Sequence, residues 1–452
     1  MTLAITRTLL SLCLATTTGC YCSHERATED ASIDATLFSD ASIVEDASSS
    51  SDVGMDAAPP PGCRASCAPP TLHALFDLPA LPSDSQSYEL THAVSVGEHV
   101  VVLANARFAG YAQPTHRLLY VDTTTGEVRA SAPWTGAAPF SVHHRGARIV
   151  RADDATTTVL TAVGRARFMG STPTGTQAVI LQRVTWAFDG SIRDDITISR
   201  AIEDVPACVG GCEAGIAFDD THALVTYAPG GALQAAEVPF STLRAGPWTT
   251  LGPVGDGADT PWPHASVIWE GEHWIAGGGT ADLSEPRAAF LYAPDRSTLP
   301  LDGTDGDLPP ILLSGRSLAV ARHVRSTASS FHVQRLRPGE PLEVIRVSTG
   351  PLGALAASLA HDPRDRLVLA WSSLAPGSLR DTVVSVVPDT PFDRCDIVEP
   401  TEVARMPQGI VAPTVLAHAH GERLFVMAVS NDVRGRAPQL AVFELSGCRL
   451  EE

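Results

Sequence analysis

Residues 415–429 read VLAHAHGERLFVMAV and carry His418 and His420. Side chains two apart on a β-strand share a face, so the two imidazoles stand as a His-x-His metal pair would. A transition-metal site needs at least one more protein donor, which must come from another part of the chain. His92, His143, His264 and His361 lie in stretches of similar pattern, and His92, His264, His418 and His420 form the candidate metal set. The competing assignment is a plain one. His420 adjoins a Gly-Glu pair, and a polar residue beside such a turn faces solvent.

A second candidate is the loop LDGTDGDLPP, where Asp302, Asp305 and Asp307 offer the oxygen donors that calcium takes. Their spacing departs from the EF-hand pattern, and turn chemistry accounts for Asp and Gly there equally well. Three glycines in WIAGGGTADL, Trp274 to Leu283, lack both the spacing of a dinucleotide loop and a helix behind it. The chain has no G-x-S-x-G elbow and no H-E-x-x-H helix. It also contains no lysine, which removes Schiff-base chemistry and the Walker-type phosphate lysine. A formal charge of −19 argues against nucleic acid or an anionic lipid surface as the main partner.

The elements that would hold these residues are short β-prone runs separated by Gly, Pro, Asp and Thr. AVSVGEHVVVLAN from Ala93, ASVIWEGEHWIAGGG from Ala265 and LAHAHGERLFVMAVS from Leu416 share one pattern: a strand, a Gly-Glu tip, then a more apolar strand. Weaker copies begin at Ser141 (SVHHRGARIVRAD), Gly215, Ile311 and Ser358. A polar tip between two such runs is what a hairpin requires. The six intervals from Gly97 to Gly421 average about 54 residues, close to a four-stranded blade with generous loops. The expected fold is all-β, a propeller of seven four-stranded blades. Leu72–Leu81 is expected to complete the last blade and close the ring, removing two exposed sheet edges. The innermost strands would then bring His92, His143, His264, His361 and His418 to the central channel, where a metal or an anionic ligand would bind.

LLYVDTTTGEVRAS, Leu118 to Ser131, resembles the third strand, Asp-x-x-Thr-Gly turn and fourth strand of YVTN- and quinoprotein-like propellers. That resemblance implies an architecture and no activity. WAFDGSI at Trp186 faintly resembles an Asp-box turn of sialidase-like propellers, without the flanking pattern, and implies no catalytic residue.

MTLAITRTLLSLCLATTTGC opens with Arg7 and an apolar stretch too short to span a bilayer, the build of a signal peptide over residues 1–19. Thr-Thr-Gly-Cys at its end resembles the lipobox of bacterial lipoproteins, with Thr17 where leucine is usual. The resemblance implies acylation of Cys20 and an extracytoplasmic, lipid-anchored protein. The outer membrane or cell surface is preferred over the inner membrane. Between Ser23 and Pro61 there are nine carboxylates and one arginine, so residues 20–71 are expected to be a disordered acidic tether ahead of a 72–452 domain.

An exported chain favours disulfides. Cys63/Cys67 and Cys208/Cys212 are each spaced for a local bridge, which leaves Cys395 with Cys448 as a third. Cross-pairing of Cys63 or Cys67 with Cys448, tying the two ends together, is the open alternative. The functional expectation is a monomeric binding or interaction module for an envelope protein or glycan, held to the membrane by its lipid, with no resident cofactor. Calcium or a transition metal at the residues above is the exception to that last point. The alternatives are a propeller-fold carbohydrate-active hydrolase or lyase using axial carboxylates and histidines, and a structural envelope component.

Overall fold

The computed structural model describes residues 63–79, 85–108, 115–135, 147–169, 172–202, 214–219, 221–227, 232–253, 264–278, 288–292, 298–304, 311–324, 329–349, 354–361, 366–374, 381–388, 395, 397–407, 414–430 and 438–451. All belong to the second of two units, Ala58–Glu452. The signal peptide, Cys20, the acidic stretch to Pro61, His143, Asp305, Asp307, Cys208 and Cys212 lie outside the described residues.

Among the described residues the strands form seven sheets, each containing a four-strand antiparallel meander. The first sheet holds Ser85–Val96, His99–Phe108, Thr115–Asp122 and Val128–Ala130. The second holds Ala147–Ala152, Thr156–Met169, Thr172–Ala187 and Ile192–Ile202, and the third Ala214–Phe218, His222–Tyr227, Ala232–Pro239 and Thr249–Pro253. The fourth runs from His264–Trp269 to Thr298–Thr304 and the fifth from Ile311–Ser314 to Glu343–Ser348. The sixth runs from Ala356–His361 to Thr401–Pro407. The seventh joins Val415–His420, Arg423–Ser430 and Gln439–Leu445 to Thr71–Asp77 from the other end of the described chain. This is the closure expected of Leu72–Leu81: Leu72 pairs with Phe443 and Phe76 with Leu440.

The first strand of each sheet contacts the first strand of the next, and Val415–His420 returns to Ser85–Val96, so the seven close into a ring. The second strand of the first sheet is buried on both faces, which is why its Val100–Ala104 run is apolar without alternation. Val100, Val102 and Ala104 pack with Phe425, Met427 and Val429 of the seventh sheet. The intervening Val101 and Leu103 pack with Ile149, Val159 and Trp186 of the second. Burying a side chain of this size stabilises by roughly 1.5–3 kcal/mol, so the stacked interfaces supply most of the driving force.

The flanking strands place the hairpins at the expected positions with two exceptions. In the fourth unit the turn falls one residue early: Trp269 pairs with Glu272, and Glu270 and Gly271 both have positive φ, the signature of a two-residue type I′ turn. The larger exception is the second sheet. Its hairpin turns at Asp153–Ala155, with Ala152 opposite Thr157, while Arg145-Gly146 lies outside the described residues. Asp153 Oδ1 accepts the backbone N–H groups of Ala155 and Thr156 at 2.9 and 2.8 Å. Those bonds close the turn, and ARIVRA is the first strand of the hairpin instead of the second.

The cysteines are also rearranged. Cys63 bonds Cys395 and Cys67 bonds Cys448, in place of the local Cys63/Cys67 and the Cys395/Cys448 bridges. Cys63–Ser66 is a strand, and four residues of extended chain span roughly 13 Å, far beyond the reach of a disulfide. This strand lies between Ile397–Glu399 and Arg449–Glu451 on the outer edge of the fifth sheet. The folded unit therefore includes residues assigned to the tether, and begins no later than Cys63.

Candidate functional site

Meander topology gathers the hairpins between first and second strands at one end of the ring, together with the turns between third and fourth strands. Two groups of histidines stand there or just inside it.

The first group was expected. His92, His264, His361 and His418 all lie on first strands, and His420 ends the first strand of the seventh sheet. The side chain of His264 lies outside the description. His418 Nε2 is 2.9 Å from Ser95 Oγ of the first sheet, and His92 Nδ1 accepts the backbone N–H of Ile149 of the second at 3.2 Å. Burial, then the charges of Arg148 and His418, hold His92 down to about 3. Burial, then His420, holds His418 down to about 4. Both imidazoles are therefore neutral at pH 7, and each ties a first strand to its neighbour. Among the described residues, no group of three ligating side chains within metal range includes His92, His418 or His420. One ring nitrogen of His92 and one of His418 are thus engaged between first strands, whereas Nδ1 of His420 is enclosed without a hydrogen-bond partner among the described residues.

The second group was missed. His222, Glu237 and His273 each place one ligand atom within 4.8 Å of the other two. His222 opens the second strand of the third sheet and Glu237 lies on the third strand. Leu224 pairs with Glu237 and His222 with Pro239, so His222 and Glu237 are diagonal neighbours on one face. His273 comes from the second strand of the fourth sheet, its ring 6.0 Å from that of His222. His222 is held from behind. Its Nδ1 lies 2.9 Å from Asp219 Oδ2, while Asp219 Oδ1 accepts the N–H groups of Thr221 and His222 at 2.7 and 2.9 Å. Burial opposes the charge on Asp219, but these amides, the Thr221 hydroxyl and His222 together hold its carboxyl below the ordinary value. Burial is also the main cause of the lowered pKa of His273, against the raising effect of Glu237.

A sequence signal for this group existed. Gly-Glu-His recurs at His99 and His273, and Thr-His at His222. His99 pairs with Val96 as the first residue after its turn, whereas Glu272 takes that place in the fourth sheet and His273 follows it. A one-residue slip reverses the face of a strand residue. His99 accordingly looks forward to Phe188 of the second sheet, with ring centroids 5.1 Å apart, and His222 looks forward to the fourth sheet. His273 looks back, and the two imidazoles meet.

No protein-family model and no curated protein matches this chain. Among solved structures, the beta-propeller domain of the Trilobed protease from Pyrococcus furiosus is similar over 81% of this chain and 96% of that one, at 8% identity and a TM-score of 0.36. The NanB sialidase from Streptococcus pneumoniae is similar over 84% of this chain and 71% of its own, at 9% identity and a TM-score of 0.39. An acylaminoacyl peptidase from Pyrococcus horikoshii is similar over 80% of this chain and 53% of its own, at 9% identity and a TM-score of 0.38. Identities this low bear on fold alone. The closed ring of meanders defines the class: an all-β propeller.

Proposed function

We propose that this propeller is a lipid-anchored, extracytoplasmic binding module, and that it presents the hairpin end of the ring to a protein or glycan of the cell envelope. The lipobox-like Thr-Thr-Gly-Cys supports the anchor, and two disulfides joining distant segments suit an oxidising compartment. The observation that carries the binding role is the set of exposed carboxylates on the hairpin tips: Glu98, Asp154, Glu270 and Glu422 stand on four different sheets at that one end. Rigid tips around a common hub, bearing charge of one sign, select a partner with complementary basic groups.

The test uses the full chain, solubilised in detergent from its own membranes and used to capture partners from envelope extract. Native protein should retain a specific partner that the quadruple variant Glu98→Gln, Asp154→Asn, Glu270→Gln, Glu422→Gln releases. Equal capture by both proteins would remove the hairpin end as the binding face. Cys20→Ser should move the protein from the membrane to the soluble fraction, and retention in the membrane would overturn the anchor.

A further inference from the structure

We infer that His222, Glu237 and His273 form a transition-metal site of the zinc class between the third and fourth sheets. This inference does not depend on the binding role proposed above. Two imidazoles and a carboxylate are the donor set that zinc accepts, whereas calcium and magnesium want oxygen alone. Ligand atoms around tetrahedral zinc stand about 3.3 Å apart at ordinary bond lengths. The three donors lie within 4.8 Å of one another. They need to close by at most about 1.5 Å, which side-chain rotation supplies.

Three further features favour a ligand over a simple charge cluster. His273 Nε2 is enclosed and has no hydrogen-bond partner among the described residues, so that nitrogen has an unmet capacity. Glu237 is exposed, which gives an ion an entry path. Asp219 engages Nδ1 of His222, which leaves Nε2 to face a metal, as in the carboxylate–histidine–metal arrangement. The Asp219–His222 contact alone would explain His222 but neither Glu237 nor His273. With three protein donors, a fourth position stays open to water or to an anionic group of a ligand. The donors come from two sheets, so the ion also fastens one sheet to the next.

The full chain, free of any affinity tag and stripped with a chelator, should bind one zinc ion per chain by calorimetry. Cobalt(II) should give the visible spectrum of a tetrahedral site with nitrogen and oxygen donors. Glu237→Gln and His273→Ala should each weaken zinc at least about 10-fold and abolish that spectrum. Asp219→Asn, which removes no ligand but loosens His222 from behind, should weaken it by about 10-fold and leave the cobalt spectrum tetrahedral. His92→Asn and His418→Asn should bind as the native chain does. Glu237 is on the surface, so its variant keeps the test valid if His273→Ala fails to fold. Absence of stoichiometric zinc, or zinc binding unchanged in Glu237→Gln and His273→Ala, overturns the site.

Discussion

The carbonyl oxygen of His73 lies 2.3 Å from where a Cβ on Gly126 would stand. Gly126 has φ +75 and ends the Asp122–Gly126 turn of the first sheet, while His73 belongs to the strand that completes the seventh. His73 Nε2 meets the carbonyl of Asp122 at 3.1 Å across the same seam. The glycine of the Asp-x-x-Thr-Gly turn is therefore required twice, for its backbone conformation and for the approach of the closing strand. Gly126→Ala should cost about 3 kcal/mol or more in urea unfolding, combining left-handed strain with a backbone clash. Gly421 has φ +58 and nothing within 4 Å of its added Cβ, so Gly421→Ala should cost only about 1 kcal/mol. Equal losses in the two variants would mean the seam is looser than described.

Arg423 fastens the same seam from the seventh sheet. Its Nε donates to Glu444 Oε1 at 2.7 Å, and its other nitrogens donate to Glu444 Oε2 and to the carbonyl of Thr123 in the first sheet. The guanidinium also lies 4.9 Å over the ring of Phe425. Glu444 is held below the ordinary carboxyl value, first by its hydrogen bond to Arg423. Lysine keeps the charge but not the planar fork, so Arg423→Lys should cost about 1 kcal/mol. A double-mutant cycle with Glu444→Gln should show coupling of about 0.5–1.5 kcal/mol, and additive losses would mean that the fork adds nothing.

The disulfides secure both ends of the described chain. Cys63–Cys395 and Cys67–Cys448 close loops of 332 and 381 residues, and Cys63 and Cys395 are buried beside Phe331, Trp371 and Val398. Cross-links over such lengths restrict the unfolded chain strongly, so the pair Cys67→Ser, Cys448→Ser should lose about 2–5 kcal/mol. Peptide mapping without reductant should recover these two linkages. A Cys63/Cys67 peptide would contradict the strand at Cys63–Ser66.

The period of the hairpins and the closing strand were legible in the sequence because both rest on local rules. Apolar runs on either side of a Gly-Glu tip can form little else, and an unpaired β segment at one end needs an edge to cover. The second sheet is not legible in the same way, because the hydrogen bonds with which Asp153 closes its turn are not visible as composition. The pairing of Cys63 with Cys395 depends on where distant strands meet at the rim of the fifth sheet, which spacing does not encode. The meeting of His222 and His273 is illegible in the sequence for a finer reason. Their meeting depends on whether a turn places Glu272 or His273 opposite Trp269, a one-residue matter that decides which neighbour the imidazole faces.

The neutral histidines of the first strands make stability depend on pH. His92 and His418 fall from 6.5 to about 3 and about 4, first through burial. The unfolded chain binds protons at these sites near pH 6.5, while the folded chain resists them until much lower. Stability therefore rises with pH through this range. Their contribution is complete above about pH 6.5 and lost as pH falls, through about 4 for His418 and about 3 for His92. Unfolding at pH 5 should take up about two protons from this pair. His273, lowered from 6.5, adds to the same slope, and Glu444, lowered from 4.5, with Asp122, Asp153, Asp189 and Asp219, lowered from 3.8, joins it below about pH 5. Tm should fall steadily from about pH 6.5 to about 4 in the native chain. In His92→Asn, His418→Asn the amides remain hydrogen-bonding but do not titrate, so the curve should become shallower between about pH 6.5 and 5. An unchanged slope in the double variant would show that the protons enter elsewhere, and that these imidazoles are not the buried links between neighbouring first strands.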